Sequence, residues 1–499
     1  MSRAPPSIAV TLPARTIAEA RGQIEFAKDA GADLLEVRFD RIPVDEFVRA
    51  GELFGAHLPL IATLRSRAEG GDGPDDPDER ARRLSDLCEF PFRWVDLELA
   101  RDFRAAEPIA RTGTAGWIVS SHARRAMTEG EWKQAVRTQV PPGSVRKVVA
   151  PASVGQLFRD VIPALPPDES SLVALTVGGS GPLLRAWSRK LGFPMVFASL
   201  PESGRLTGVP PVEPSQIPVD RLRPFLYADA NPPLFAVVGR PVAHSLSPAL
   251  HTRWMRARNE SGLYVPLEFE SEQEFVESIP KLVEGGFRGL NVTHPFKEAA
   301  LELADRVGPG AAACGVANTL SLDADGIEAE NTDLVAMLRR LEELRTAGRW
   351  DGRRLGVIGA GGAARATLAA ARSLGIPTVL WARRSEAAEL LARDFGAEPR
   401  RSPDAPGPTL IVHATTIGRE TSGPEATSPF RAWFRPGVHV LDWVYEPVDP
   451  SVGDAARQAG ATYEDGTRLL VYQAAASYGI WWGEEPTEEQ VAKEVSGAR

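Results

Sequence analysis

Cysteine is almost absent: the 499 residues contain only Cys88 and Cys314, far apart in the chain. Two isolated thiols give neither a disulfide framework nor a cysteine metal cluster, so no metal is expected and both read as small apolar residues in a reducing compartment. Long apolar runs are missing too, and none reaches the roughly 18–20 residues that a membrane-spanning helix needs. There is no basic block, and the net charge of −9 is spread along the chain. Nucleic acid is therefore not an expected partner, since neutralising phosphates takes clustered Lys and Arg. The chain enters the strand-like Ile8-Ala9-Val10-Thr11-Leu12 without a signal or transit pattern, and a soluble cytoplasmic protein is expected. Oligomeric state is not legible here.

What is present is ordinary globular composition, 43% hydrophobic and 25% charged. The length suits about three units of ~150 residues. Through residues 1–200, short β-rich runs begin near Ile8, Leu34, Leu58, Trp94, Trp117, Val145, Ser171 and Met195. Stretches long enough for a crossover helix separate them, which predicts an α/β fold with a parallel sheet. Eight such units suggest a (β/α)8 barrel, although periodicity alone leaves an open doubly wound sheet possible.

Polar residues inside the runs favour the barrel. In Leu34–Asp40, Glu36 and Arg38 share one face and Leu35, Val37 and Phe39 the other. Thr63 with Arg65 and Asp96 with Glu98 repeat the pattern; His122 ends the fifth run and Lys147 lies in the sixth. Structural ion pairs would explain one such strand, but five contributing together point to a site at the strand ends. A partly desolvated lysine can attack a ketone as the neutral amine. The resulting iminium acidifies the adjacent carbon, and a nearby histidine can take that proton and pass it to a leaving hydroxyl. Arginines would hold a substrate carboxylate.

These residues resemble type I 3-dehydroquinate dehydratase over about residues 5–225. The likeness rests on Glu36-Val37-Arg38, Thr63 through Gly71, Ser120-Ser121-His122, Lys147-Val148-Val149 and Leu184-Arg185. It implies a TIM barrel in which Lys147 forms the Schiff base and His122 is the acid/base, with Glu69 assisting. Glu36, Arg38, Arg65, Arg185 and Gln216 would bind substrate. Val212 and Ala123 stand where the family carries polar residues.

Proline then punctuates the chain at Pro210-Pro211-Val212-Glu213-Pro214 and Asn231-Pro232-Pro233, placing a boundary near 225–233. Further on, Arg354–Ile358 leads into the glycine turn Gly359-Ala360-Gly361-Gly362-Ala363, and an Ala-rich helix leaves it through about Leu374. A strand before and a helix after make this a dinucleotide-binding signature, the pyrophosphate resting on the helix N-terminus; a plain structural βα turn is the bland alternative. The next strand ends in Arg383-Arg384-Ser385 where an NAD site would place an acid. Two guanidinium groups and a hydroxyl suit the 2′-phosphate of NADP, unless they are simply solvated. Upstream, His244–Pro248, Asn291–Lys297, Asn318-Thr319 and Asn331-Thr332-Asp333 end short elements with polar loops. A Lys and an Asp brought together there would supply the proton that ketone reduction needs beside a hydride.

Together these motifs resemble shikimate dehydrogenase over about residues 233–485, joined by His413-Ala414-Thr415-Thr416, Asp442 through Pro447, Gly466 and Gln473. The resemblance implies a two-lobed α/β dehydrogenase with Lys297 and Asp333 as catalytic pair. Ser245, Ser247, Thr293, Asn318, Tyr445 and Gln473 would contact substrate. Gly359, Ala360, Gly361, Gly362, Ala363, Arg383, Arg384, Ser385, Thr415 and Gly466 would hold NADP(H). His413, Ala382 and Thr252 depart from the asparagines usual there, and His244, His251 and His294 receive no catalytic role. The expected organisation is a dehydratase barrel at 1–225, a linker at 226–232, a substrate lobe at 233–335 completed by 466–490, and an NADP-binding Rossmann domain at 336–465. The expected function is dehydration of 3-dehydroquinate to 3-dehydroshikimate followed by NADPH-dependent reduction to shikimate, in aromatic amino acid biosynthesis. The alternatives are an NAD-dependent quinate or shikimate dehydrogenase in catabolism, and a non-catalytic metabolite sensor.

Overall fold

The computed structural model describes residues 3–56, 58–102, 115–167, 169–201, 211–243, 245–400, 407–419, 423–446 and 448–497. Pro210, His244 and Pro447, which the motifs above include, lie outside them. The chain forms two compact units, one of Met1–Phe235 with Pro241–His244 and Asn259–Gly286, the other of Ala236–Arg240, Ser245–Arg258 and Phe287–Arg499.

In the first unit eight parallel strands run in the order β7-β6-β5-β4-β3-β2-β1-β8. They are β1 (Ser7–Leu12), β2 (Leu34–Arg38), β3 (Leu60–Thr63), β4 (Trp94–Glu98), β5 (Gly116–His122), β6 (Val145–Pro151), β7 (Leu172–Val177) and β8 (Met195–Ser199). Each begins within two residues of its sequence-based position. Because β8 pairs with β1, the sheet curls into a nearly closed barrel and the open doubly wound alternative falls. No β7–β8 ladder occurs among the described residues. There the Arg185 guanidinium donates to the Thr176 carbonyl of β7 (2.9 Å), the Phe197 carbonyl of β8 (3.3 Å) and the Gly181 carbonyl (2.6 Å).

The barrel interior is layered by the two-residue period of a strand. Ala9, Leu34, Ile61, Ile118 and Val145 belong to one apolar cluster, with Trp94 packed against it. Two residues further along the same strands stand Thr11, Glu36, Thr63, Asp96, Ser120 and Lys147. The apolar layer thus floors a polar one nearer the strand C-terminal ends. This unit also holds β10 (Leu263–Glu268) and the helix Glu272–Gly285. They are fixed by the Trp187 indole N–H to the Gly285 carbonyl (2.9 Å) and by Lys281 over the Phe158 ring (5.3 Å).

The second unit contains two sheets. In one, β9 (Leu234–Gly239, here from 236) is followed in order by β11 (Phe287–Val292), β13 (Thr319–Asp323), β14 (Gly326–Glu330) and β12 (Arg306–Val307). The Trp481 indole of the helix Thr467–Trp482 donates to the Leu320 carbonyl (3.1 Å), tying that helix to this sheet. The other sheet is parallel and ordered β17-β16-β15-β18-β19-β20. Its strands are β15 (Leu355–Ile358), β16 (Thr378–Trp381), β17 (Glu398–Pro399), β18 (Leu410–His413), β19 (His439–Asp442) and β20 (Thr462–Glu464). Counted from β15 this is the 3-2-1-4-5-6 order of a Rossmann sheet, whose ligand crevice opens where the strand order reverses. No helix among the described residues is long and apolar enough to cross a membrane.

Candidate active sites

The barrel site is built around Lys147, only 5% exposed. Its Nζ lies 3.2 Å from Asp96 Oδ2, 3.6 Å from Glu36 Oε1 and 3.8 Å from the centre of the Phe197 ring. Glu36 accepts hydrogen bonds from Thr11 (2.7 Å) and Thr63 (2.9 Å) on the flanking strands. Gln216 donates to Thr11 (2.9 Å), and its buried Oε1 has no partner among the described residues. Asp96 is tied to Arg65 at 2.8 Å and accepts from Ser120 at 2.5 Å. Burial would raise the Asp96 carboxyl, but Arg65 and Lys147 overcome it and hold the group far below the usual carboxylate range.

Arg65 is buried against three acids, Asp96, Glu98 (3.2 Å) and Glu69 (3.1 Å), and they keep its guanidinium charged against the cost of burial. The loop carrying Glu69 is shaped by its sequence. The Ser66 hydroxyl accepts the Glu69 N–H, and Gly70, at φ +90°, turns the chain back. A Cβ at Gly71 would lie 2.3 Å from the Arg65 carbonyl oxygen, so the second glycine is required as well. Glu69 thereby reaches the neighbouring element and accepts from the His122 backbone N–H (3.1 Å), with the His122 Nδ1 at the same distance. Burial raises the Glu69 carboxyl to about 7 in spite of Arg65. Burial, with Arg65 and Lys147, holds His122 well below its ordinary value, so the ring is neutral and Nε2 faces away from the acid.

Strand pairing sets Ser120 beside Lys147 and His122 beside Val149, placing imidazole and amine on adjacent strands. Arg38 is held bidentately by Asp40, 2.8 Å on each arm. Arg185 donates from Nε and Nη1 to main-chain carbonyls, and its Nη2 has no partner among the described residues. Burial lowers its pKa to about 10, with Glu213 opposing. Asp40 and Phe197 carry no site signal in the sequence, and Asp96 and Ser120, though part of the inward pattern and the Ser120-Ser121-His122 motif, receive no role of their own there. The inward phase of Asp96 on β4 was the signal that could have found it.

In the second unit Asn331 caps the helix Thr332–Thr346 by accepting the Leu334 N–H (3.2 Å), which sets Asp333 in its first turn, where the helix dipole favours a carboxylate. Asp333 pairs with Lys297 and accepts from the Asn318 amide (2.9 Å). Asn318 also bonds Thr332, and its carbonyl joins the Val292 N–H (2.7 Å), so Asn318 and Thr293 sit at the same sheet end. Burial raises the Tyr445 phenol above its ordinary value, with Ser245 beside it opposing, and the Ser247 N–H donates to Ser245 Oγ (3.3 Å). Gln473 gives its amide to the Leu470 carbonyl of its own helix. His251 is buried among Trp254, Tyr478 and Trp481, and burial drops its pKa to about 3, as a core ring would behave.

Lys297 also meets the glycine turn: a Cβ at Gly362 would lie 2.7 Å from its Cδ. Gly359, at φ +121°, has no room for a Cβ because the Ala414 carbonyl oxygen would be 2.4 Å away, whereas Gly361 faces open space. The helix Gly362–Ser373 starts there, with Ala363 in its first turn and no side-chain cap, so its first N–H groups remain for an anion. Arg383, Arg384 and Ser385 are exposed at the end of β16, with neither guanidinium engaged among the described residues. Gly466 lets the chain pass Trp443, whose carbonyl oxygen a Cβ would approach to 2.4 Å. This open turn, uncapped helix and unengaged arginine pair fit a phosphorylated dinucleotide. No group of three possible metal ligands occurs among the described residues.

Comparison with known proteins places each half of the chain beside a known family. Residues 8–232 match the type I 3-dehydroquinase family and residues 237–320 the shikimate dehydrogenase substrate binding domain. A shikimate dehydrogenase (NADP(+)) of Dinoroseobacter shibae is 38% identical, the match covering 51% of this chain and 93% of the relative. One of Acidiphilium cryptum is 37% identical, covering 51% and 91%. Among solved structures, the shikimate 5-dehydrogenase of Thermus thermophilus in complex with NADP(H) and shikimate is 32% identical, covering 54% of this chain and all of that one, with a TM-score of 0.47. The chain belongs, through its second half, to the shikimate dehydrogenase family, and it carries a type I 3-dehydroquinase unit ahead of that half.

Proposed function

We infer that the chain performs two consecutive steps of the shikimate pathway, converting 3-dehydroquinate to 3-dehydroshikimate and reducing that product to shikimate with NADPH. The observation that carries the reading is that each unit sets one lysine against a buried carboxylate, Lys147 beside Asp96 and Lys297 on Asp333. In the first unit the Lys147 amine attacks the substrate ketone and water leaves as the imine forms. His122 Nε2, steadied by Glu69 on the other nitrogen, removes a proton from the acidified carbon. The same proton returns to the departing hydroxyl, and hydrolysis frees Lys147. Glu36, Arg38, Arg65, Arg185 and Gln216 hold the substrate, the open Nη2 of Arg185 being suited to its carboxylate.

In the second unit the nicotinamide, when bound, supplies a hydride. Lys297, steadied by Asp333, gives a proton at Nζ to the ketone oxygen, while Asn318, Thr293, Ser245, Ser247, Tyr445 and Gln473 orient the hydroxyls and carboxylate. Residues 359–363, Thr415 and Gly466 line the cofactor, and Arg383, Arg384 and Ser385 receive the 2′-phosphate. The domain division is the one expected above: barrel 1–225, linker 226–232, substrate lobe 233–335 with 466–490, and cofactor domain 336–465. The enzyme works in the cytoplasm on small molecules, without metal, nucleic acid or membrane. Supplying 3-dehydroquinate and NADPH together tests the whole reading, with stoichiometric NADPH oxidation and shikimate as the expected result. Accumulation of 3-dehydroshikimate with no NADPH consumed, or faster turnover of quinate with NAD than of shikimate with NADP, would refute it.

A further inference from the structure

His413 ends β18 and Asp442 ends β19, paired in register. His413 Nδ1 lies 2.8 Å from Asp442 Oδ1, and His413 Nε2 lies 2.6 Å from Thr415 Oγ1. The His413 and Asp442 side chains are buried, at 0% and 1% exposure. Asp442 accepts two donors besides the imidazole: the Val444 N–H reaches Oδ1 (2.9 Å) and the Tyr463 hydroxyl reaches Oδ2 (3.0 Å). A carboxylate receiving three donors offers none, so Nδ1 carries the ring hydrogen. In the neutral ring Nε2 is then an acceptor, and the Thr415 hydroxyl must donate into it. The Ile417 N–H donates to Thr415 Oγ1 (3.2 Å). Thr415 is left with one lone pair and no hydrogen. It stands against the glycine turn, its Cγ2 being 3.2 Å from the place a Cβ on Gly359 would take.

We propose that the line Asp442–His413–Thr415 sets Thr415 as a hydrogen-bond acceptor for the dinucleotide, which makes His413 a positioning residue of the cofactor site. Thr415 then takes a hydroxyl or amide hydrogen of the dinucleotide and turns away phosphate oxygens, which are acceptors only. The pyrophosphate is left to the helix N-terminus at Gly362, so one hydroxyl helps fix which part of the cofactor lies over which part of the crevice. An aliphatic side chain at 413 cannot impose this polarity on a residue two places along.

The inference rests on the NADPH-dependent reading, and the test separates the two. Nitrogen-15 spectra of the imidazoles in the ligand-free protein should show His413 with Nδ1 protonated and Nε2 bare. The dissociation constant for NADPH, followed by its fluorescence without substrate, should rise about fivefold in Thr415→Val and in His413→Leu, stay within twofold in Thr415→Ser, and rise no further in the double variant Thr415→Val with His413→Leu. An Nε2-protonated tautomer would overturn the proposal, as would multiplying effects in the double variant or unchanged binding in Thr415→Val. If His413→Leu failed to fold, the tautomer and the two Thr415 variants would still decide it. Should the unaltered protein bind no NADPH, the reductase reading would fall together with this one. Tight binding with an indifferent Thr415 would sink the relay alone.

Discussion

Replacing Glu69 by glutamine probes the electrostatics of the barrel directly. The Glu69 side chain is 7% exposed, and burial raises its carboxyl from 4.5 to about 7. The folded protein therefore binds this proton more tightly than the unfolded chain does. The stabilisation is complete below pH 4.5 and is lost as pH rises through 7. At ~1.4 kcal/mol per pH unit, the rise amounts to roughly 3 kcal/mol against the ionised form. Glutamine has no such penalty, but it deprives Arg65 of one of its three acids, so a net gain of about 1–2 kcal/mol above pH 7 is expected. Native-state hydrogen exchange of the β3–β5 amides, compared at pH 5 and pH 8, reads the first unit by itself. The stability of Glu69→Gln relative to the unaltered protein should improve between the two pH values. A difference of the same size at both pH values would refute the argument, for it would mean that Glu69 carries no displaced proton.

Dehydration should gain a limb near pH 7 on the acid side of kcat/KM, where Glu69 must ionise to hold the His122 N–H, and Glu69→Gln should flatten it; a limb at 6.5 surviving that change would assign it to the histidine instead. Lys147→Ala should abolish dehydration and leave reduction of supplied 3-dehydroshikimate intact, and borohydride with 3-dehydroquinate should label the unaltered protein at Lys147 alone on peptide mapping. Asp333→Asn removes the charge paired with Lys297 and should lower reductase kcat about 100-fold with dehydration unchanged, which separate steady-state assays would check. Arg383→Ala with Arg384→Ala should raise KM for NADPH at least tenfold and leave KM for NADH within twofold; equal losses for both cofactors would show that the pair does not read the 2′-phosphate.

Much of this was legible because strand periodicity and chemistry coincide. Glu36 and Arg38 on alternate positions of an apolar run can only face inward when the outer face meets helices, and Thr11 and Thr63 indeed bond Glu36 from both sides. The glycine turn at 359–362 was equally plain, since a strand, a run of glycines and an Ala-rich helix occur in immediate succession. Partnerships made across the fold were not legible. Asp96 is one inward acid among several in the sequence, and only the register of β3 to β6 makes it the hub for Arg65, Ser120 and Lys147. His413 read as a departure beside the cofactor, yet its meaning depends on Asp442, 29 residues later and on the next strand. Grouping residues 259–286 with the barrel likewise rests on contacts such as Trp187 with Gly285, which no local pattern announces.

The guanidinium of Arg185 clasps the carbonyls of two staves that no ladder joins among the described residues. If that side chain also receives the substrate carboxylate, as proposed above, it is both hinge pin and docking point: an anion drawing on Nη2 also tugs at the clasp between these staves. Its loss would show in a melting curve as much as in a binding isotherm, and lysine, with a single nitrogen, could not grip both staves while greeting a guest.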